Sequence, residues 1–197
     1  MNQRIGVVIM EEKLWTRSYT MAVVAMFGIY MVSSILLSVM AVYAKNLTGI
    51  DAYAGMMTSV FTFGALVVRF LTGGLVDRLG SKKIILTGIG LMIIGSSMFL
   101  NCQGITQALF ARGVQGIGFG LSATATSTYI ATICHSSRLL EGISYTAVAQ
   151  SLSAVIGPSI GFGLIGTEYD RFQVLFLVTV GIALVTLFIM IFEKNSH

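Results

Sequence analysis

GGLVDRLGSKK, from Gly73 to Lys83, is the stretch on which the fold turns. It places one acid, Asp77, and three bases, Arg78, Lys82 and Lys83, between two long apolar runs. Gly73, Gly74 and Gly80 permit tight turns and close approach of helices. Asp77 and Arg78 fall where one apolar run ends; Lys82 and Lys83 fall where the next begins. A charged hairpin this short between two spans is either a topology anchor or a gate. Basic residues beside a span hold it on the cytoplasmic side. Anchoring accounts for the lysines, but it requires neither Asp77 nor the glycine spacing.

The spans themselves follow from composition. Hydrophobic residues make up 55% of the 197 and charged residues 10%, with a mean hydropathy of +0.88. Soluble domains carry about 25% charged residues, so this is a membrane protein. The net charge of +4 does not point to nucleic acid, because the bases flank apolar runs instead of forming a patch. Cys102 and Cys134 should lie near opposite membrane faces, which excludes a disulfide between them. They form no metal-ligand spacing with His135 or His197. No metal or cofactor is expected.

Six apolar runs, at about 19–43, 53–75, 84–100, 106–133, 142–165 and 172–192, are each long enough to cross roughly 30 Å of hydrocarbon. The expected fold is an all-α bundle of six transmembrane helices over residues 19–192, with cytoplasmic tails at 1–18 and 193–197. The apolar patch Gly6 to Met10 is too short for a signal peptide. Short connectors make consecutive helices antiparallel neighbours. With the N-terminus inside, Arg4, Lys13, Arg17, Arg78, Lys82, Lys83, Arg138 and Lys194 are cytoplasmic, against Lys45 and Arg171 outside. That asymmetry sets both termini in the cytoplasm of a multi-pass protein of the plasma (inner) membrane.

Polar residues inside the spans carry the functional signal. Arg112, Gln115, Phe119, Ser122, Thr126 and Tyr129 share about 100° of one helical face. A guanidinium in a span normally faces a bundle interior or an aqueous cavity; the bland alternative is a structural arginine bonded to carbonyls of a neighbouring helix. Tyr30, Ser33, Ser34 and Ser38 form a second polar arc, either lining a substrate path or bonding back to their own helix. Arg69 either snorkels to the headgroups or braces the Gly73–Lys83 stretch. Ala147, Ser151, Ala154, Pro158 and Gly161 lie within about 80° of one face, so a neighbouring helix can approach closely there. Pro158 should bend its helix.

Three of these segments resemble motifs of the major facilitator superfamily, in the family's order. Gly73, Leu75, Asp77, Arg78, Gly80 and Lys82 match the loop G-x-L-x-D-R-x-G-R-K, with Ser81 at a position usually held by a base. Arg112, Gln115, Gly116 and Gly118 match the fourth-helix motif R-x-x-Q-G-x-G. Gly157, Pro158 and Gly161 match the fifth-helix motif G-x-x-x-G-P-x-x-G-G, while Ser153 and Phe162 stand where it has glycine. The resemblance implies that Gly73, Asp77, Arg78, Gly80, Lys82 and Lys83 latch two halves of a transporter on the cytoplasmic side. It further implies that Arg112 serves proton transfer or substrate binding, and that the fifth helix belongs to an exporter. Members have two six-helix halves with the substrate between them; this chain supplies the first.

The function expected is therefore proton-coupled efflux of a small molecule by alternating access, not enzymatic catalysis. Arg112, Gln115, Ser122, Thr126, Tyr30 and Ser34 would line the substrate or proton pathway, with Gly157, Pro158 and Gly161 setting the helix-five bend and packing. The partners implied are the substrate, protons, the bilayer and a second six-helix half, either in trans or missing from this chain. A truncated fragment is favoured over a homodimer. No acid lies mid-membrane; Asp51 and Asp77 come nearest. Two other functions fit parts of the sequence. A non-transporting membrane subunit predicts that losing Asp77 and Arg112 harms only expression. An intramembrane serine protease is suggested by Gly157-Pro158-Ser159-Ile160-Gly161, but no span offers its serine a histidine base. The carrier reading needs Arg112 and Thr126 to border a wet opening and not a dry seam.

Overall fold

The computed structural model describes residues 14–166 and 171–193. Most of the expected N-terminal tail (1–13), the loop positions 167–170 and the last residues 194–197 lie outside the described residues. The described residues fold into six long helices: α1 (Arg17–Thr48), α2 (Ala52–Leu79), α3 (Ser81–Met98), α4 (Ile105–Ile133), α5 (Leu139–Ile165) and α6 (Phe172–Phe192). Among the described residues there is no strand.

Helix ends follow local chemistry. The Thr16 hydroxyl accepts the Tyr19 N–H at 3.2 Å, an N-cap that starts α1 ahead of its apolar run. Gly49, at φ +71, ends α1 in the left-handed region and donates its N–H to the Lys45 carbonyl at 2.7 Å. At the other membrane face Gly80 is the whole connection between α2 and α3. Its φ of +85 and ψ of +145 suit glycine and strain any residue bearing a Cβ. Gly73 to Leu79 thus belong to the last two turns of α2 rather than to a loop, and α2 runs past the expected end at 75.

Small residues set how closely the helices pack. α4 lies along α2 and α3, while α1 lies along α5 and also touches α4 and α6. A Cβ added at Gly116 would stand 2.2 Å from the Phe61 carbonyl oxygen, and one at Gly120 2.6 Å from that of Ala65. On the other side of α4, a Cβ on Gly118 would come within 2.6 Å of the Gly88 oxygen of α3. The G-rich run of the fourth-helix motif is therefore a two-sided packing surface, in which backbones meet without side chains between them. Gly157 and Gly161 do the same for α5, facing Ser34 and Ser38 of α1. At the end of the bundle away from Gly80, Tyr43, Phe99, Phe172 and Phe176 form an aromatic cluster, with Tyr43 and Phe172 ring centres 5.0 Å apart.

Among the described residues, five helical segments, Arg17–Thr48, Ala52–Leu79, Ser81–Asn101, Ser136–Ile165 and Phe172–Phe192, are long and apolar enough to cross a membrane. α4 has the length, 29 residues, without the composition: Arg112, Gln107, Gln115 and its hydroxyl residues lower its hydropathy. The expected six spans thus resolve into five by composition plus one polar helix held among them. α2 and α5 are the least covered, exposing Phe63, Phe70, Leu71, Leu140 and Val155. Apolar faces of that extent require lipid or protein against them.

Candidate functional site

Arg112 is wholly buried. Its Nη1 donates to Gln115 Oε1 at 2.7 Å, one turn along the same helix face. Gln115 Nε2 in turn donates to Ser96 Oγ of α3 at 2.7 Å. The guanidinium carbon sits 4.5 Å from the ring centre of Phe61 on α2. Placing arginine mid-helix in a membrane costs about 2.5–3.5 kcal/mol on insertion scales. A desolvated cation–π contact returns about 2 kcal/mol and a charged hydrogen bond about 1.5–3 kcal/mol, which offset that insertion cost but not the further cost of the guanidinium nitrogens left unmatched. Nε and Nη2 remain without a hydrogen-bond partner among the described residues. Arg112 bonds a side chain of its own helix, not a neighbour's carbonyl.

The stripe does not border an opening, contrary to expectation. Ser122 and Thr126 are fully buried. Ser122 Oγ donates to the Gly118 carbonyl at 2.8 Å and Thr126 Oγ1 to that of Ser122 at 2.7 Å. Their hydroxyls satisfy their own helix, because the glycine seam draws this face against α3. Ser34, placed on the pathway from sequence, faces Gly157 across the α1–α5 seam instead. Ser153 Oγ crosses the same seam to the Phe27 carbonyl at 3.1 Å. Pro158 lies inside α5, which continues as helix to Ile165.

Tyr30 does reach α4. Its ring meets Phe119 edge-on at 5.2 Å, and Phe119 lies 5.5 Å from Phe61. Arg69, which is exposed, extends its guanidinium to 5.7 Å from the Phe119 ring centre. Among the described residues it makes no hydrogen bond or ion pair with Gly73–Lys83, so bracing by direct contact does not occur. Phe119 is the middle residue of α4, so Arg69 does not snorkel toward the end of α2 either.

At the Gly80 corner, Asp77, Arg78 and Lys83 are exposed and make no ion pair among the described residues, whereas Lys82 is engaged. Its Nζ lies 3.5 Å from Glu193 Oε2 and donates to the Glu193 carbonyl. Tyr129 Oη of α4 donates to Glu193 Oε1 at 2.5 Å. Glu193, expected in the closing tail, is instead buried, and it joins the starts and ends of three helices. Sequence reasoning missed this carboxylate because it directly follows an apolar run, where any residue reads as leaving the membrane. Phe61 and Ser96 were missed as well: an aromatic and a serine inside apolar runs give no signal of their own.

These features define a multi-pass helical membrane protein built around a buried cation. The sequence matches the description Major Facilitator Superfamily over residues 22–197, and the chain belongs to that family, whose members are transporters and not enzymes. That removes the serine-nucleophile reading of Ser159. The chain is 24% identical to the quinolone resistance protein NorA of Staphylococcus aureus over 156 residues, covering 79% of this chain and 40% of NorA. It is also 24% identical to a triacylglyceride transporter of Mycolicibacterium smegmatis over 168 residues, 85% of this chain and 30% of that protein. The chain therefore spans well under two thirds of the length of these relatives.

Proposed function

We propose that this chain is the N-terminal six-helix half of a secondary transporter that exports a small amphiphilic molecule in exchange for protons. It works in the plasma membrane, with both termini cytoplasmic and α4 crossing as the sixth span. The dry seam around Arg112 and Thr126 does not meet the condition drawn from the sequence, so the reading is carried by the family match over residues 22–197. Arg112 is its focus: a buried guanidinium with two unmatched nitrogens, Nε and Nη2, on the helix that bears the family's fourth-helix motif. Such a group costs free energy in a merely structural bundle, and a pathway for protons or substrate gives it a use. The names of the two relatives, one for quinolone resistance and one for triacylglyceride transport, favour an amphiphilic cargo.

A second half supplies the opposite wall. The exposed faces of α2 and α5 are where it would dock, and alternating access would open and close at the Gly80 corner. Because Lys82 is engaged with Glu193, the groups free to latch that half are Asp77, Arg78 and Lys83, beside Gly73 and Gly74, whose surroundings are open. The test is flux in proteoliposomes, with the chain alone and with a co-expressed second half, under an imposed pH gradient. Efflux of an amphiphilic dye accelerated by the gradient is expected for the two-half assembly. Flux indifferent to the gradient contradicts proton exchange, and no flux in either preparation returns the chain to a non-transporting subunit.

A further inference from the structure

Four groups form a continuous column across the interface of α2 and α4. From the Arg112 guanidinium it passes to Phe61 at 4.5 Å, then to Phe119 at 5.5 Å, and ends on the Arg69 guanidinium at 5.7 Å. Two cations thus sandwich two aromatic rings. α2 and α4 run in the same direction, so the register is sustained: Phe61 to Arg69 and Arg112 to Phe119 each cover roughly 10–12 Å of helix. One end of the column is sealed, since Arg112 is wholly buried, while the other is open, since Arg69 is exposed. Tyr30 flanks the open end, in edge contact with Phe119.

No acid described here balances this charge. Asp51 pairs with Lys45 at 2.9 Å, Glu141 with Arg138 at 2.9 Å and Glu193 with Lys82 and Tyr129. Asp77 lies two turns beyond Arg69 along α2, roughly 12 Å away. An exposed guanidinium, backed by an aromatic face and set beside a phenol, is complementary to a planar monoanion carried on an apolar body. The carboxylate meets the fork of the guanidinium, and the body lies against the half-buried Tyr30 ring, while Phe119, only 8% exposed, backs the guanidinium from within the bundle. A phosphate fits less well, because its second charge would have to be desolvated beside apolar rings.

We propose that Arg69, with Phe119 and Tyr30, is a binding subsite for the carboxylate of an aromatic acid, and that aromatic acids are among the cargoes. The biological meaning rests on the transport reading above, but the subsite is tested by binding alone. The purified 197-residue chain in lipid nanodiscs is titrated calorimetrically with 1-naphthoate, with its neutral counterpart 1-naphthalenemethanol, and with acetate as competitor. Acetate represents a carboxylate side chain of a second half, the other source of the same chemistry.

Losing one charged hydrogen-bonding partner weakens such a complex roughly tenfold or more. Arg69→Gln is therefore expected to weaken 1-naphthoate by that factor while leaving 1-naphthalenemethanol unchanged. Arg69→Lys retains part of the affinity, and Tyr30→Leu weakens both aromatic probes with the charge in place. Helicity by circular dichroism shows that each variant is folded. Equal affinity of wild type and Arg69→Gln for 1-naphthoate overturns the subsite, as does equal binding of the acid and the alcohol. Displacement of 1-naphthoate by acetate at equal concentration shows that the rings add nothing, and overturns the aromatic-acid assignment in favour of a protein carboxylate. None of these outcomes depends on flux, so a chain that does not transport still gives an answer.

Discussion

Gln115 holds the most exacting position in the bundle, because it is bonded at both ends. It accepts from Arg112 and donates to Ser96. Gln115→Leu keeps the bulk but strands one more guanidinium N–H and the Ser96 hydroxyl in a dry seam. Each buried polar group left unmatched costs about 1–3 kcal/mol, so the variant should melt several degrees lower in detergent. Gln115→Glu should retain the Arg112 contact and lose less. Equal melting of wild type and Gln115→Leu would mean that the chain of bonds from α4 to α3 contributes nothing. The two unmatched nitrogens of Arg112, Nε and Nη2, on which its proposed role rests, are untouched by either change.

At the scale of helices, the glycines divide into two kinds that sequence alone does not separate. Gly116 has the Phe61 carbonyl where its Cβ would go, whereas Gly73 has open space. Gly116→Ala should push α2 and α4 apart, at a cost of about 1–3 kcal/mol as overpacking, and lower the yield of folded protein. Gly73→Ala should be neutral in this chain by the same measurement. A Gly116→Ala protein as stable as wild type would rule out the close α2–α4 seam. The Lys82–Glu193 pair makes a second case. Lys82→Met leaves a buried carboxylate with Tyr129 alone, and should destabilise by roughly 3 kcal/mol. Adding Glu193→Gln should restore most of that loss, since the amide keeps an acceptor for Tyr129. Additive losses in this double-mutant cycle would show that the two residues are not coupled.

These helices also show what a single sequence discloses. The polar face of α4 was legible because Arg112, Gln115, Phe119, Ser122 and Thr126 recur with the helical period. What that face meets was not legible, because periodicity names a face and not its neighbour. The glycine seam turns it inward to α3, while Arg69 of α2 is exposed and Tyr30 of α1 half-buried. The end of α2 was misread for a related reason: Asp77 and Arg78 mark where a helix leaves the apolar layer, which is not where its hydrogen bonding stops. Glu193 became visible only when α3, α4 and α6 were brought together.

For the whole molecule, orientation rests on the distribution of bases and can be checked with the two native cysteines. Cys102 follows α3 and Cys134 follows α4, so they belong to opposite faces. Burial also pushes the Cys134 thiol above its ordinary pKa, which slows its reaction at neutral pH. A membrane-impermeant maleimide applied to intact cells should label Cys102 and spare Cys134, with Cys134 reacting only after permeabilisation. Labelling of Cys134 from outside would invert the topology and move the Gly80 corner to the wrong side for a cytoplasmic latch.

The buried guanidinium of Arg112 is the group on which the transporter reading stands or falls. Its most direct measurement is gradient-driven flux through the two-half assembly in proteoliposomes, comparing wild type with Arg112→Ala at matched amounts of folded protein. Flux that falls to the background of empty liposomes, with helicity retained, is the expected result. Flux equal to wild type in Arg112→Ala would contradict the role assigned to this residue.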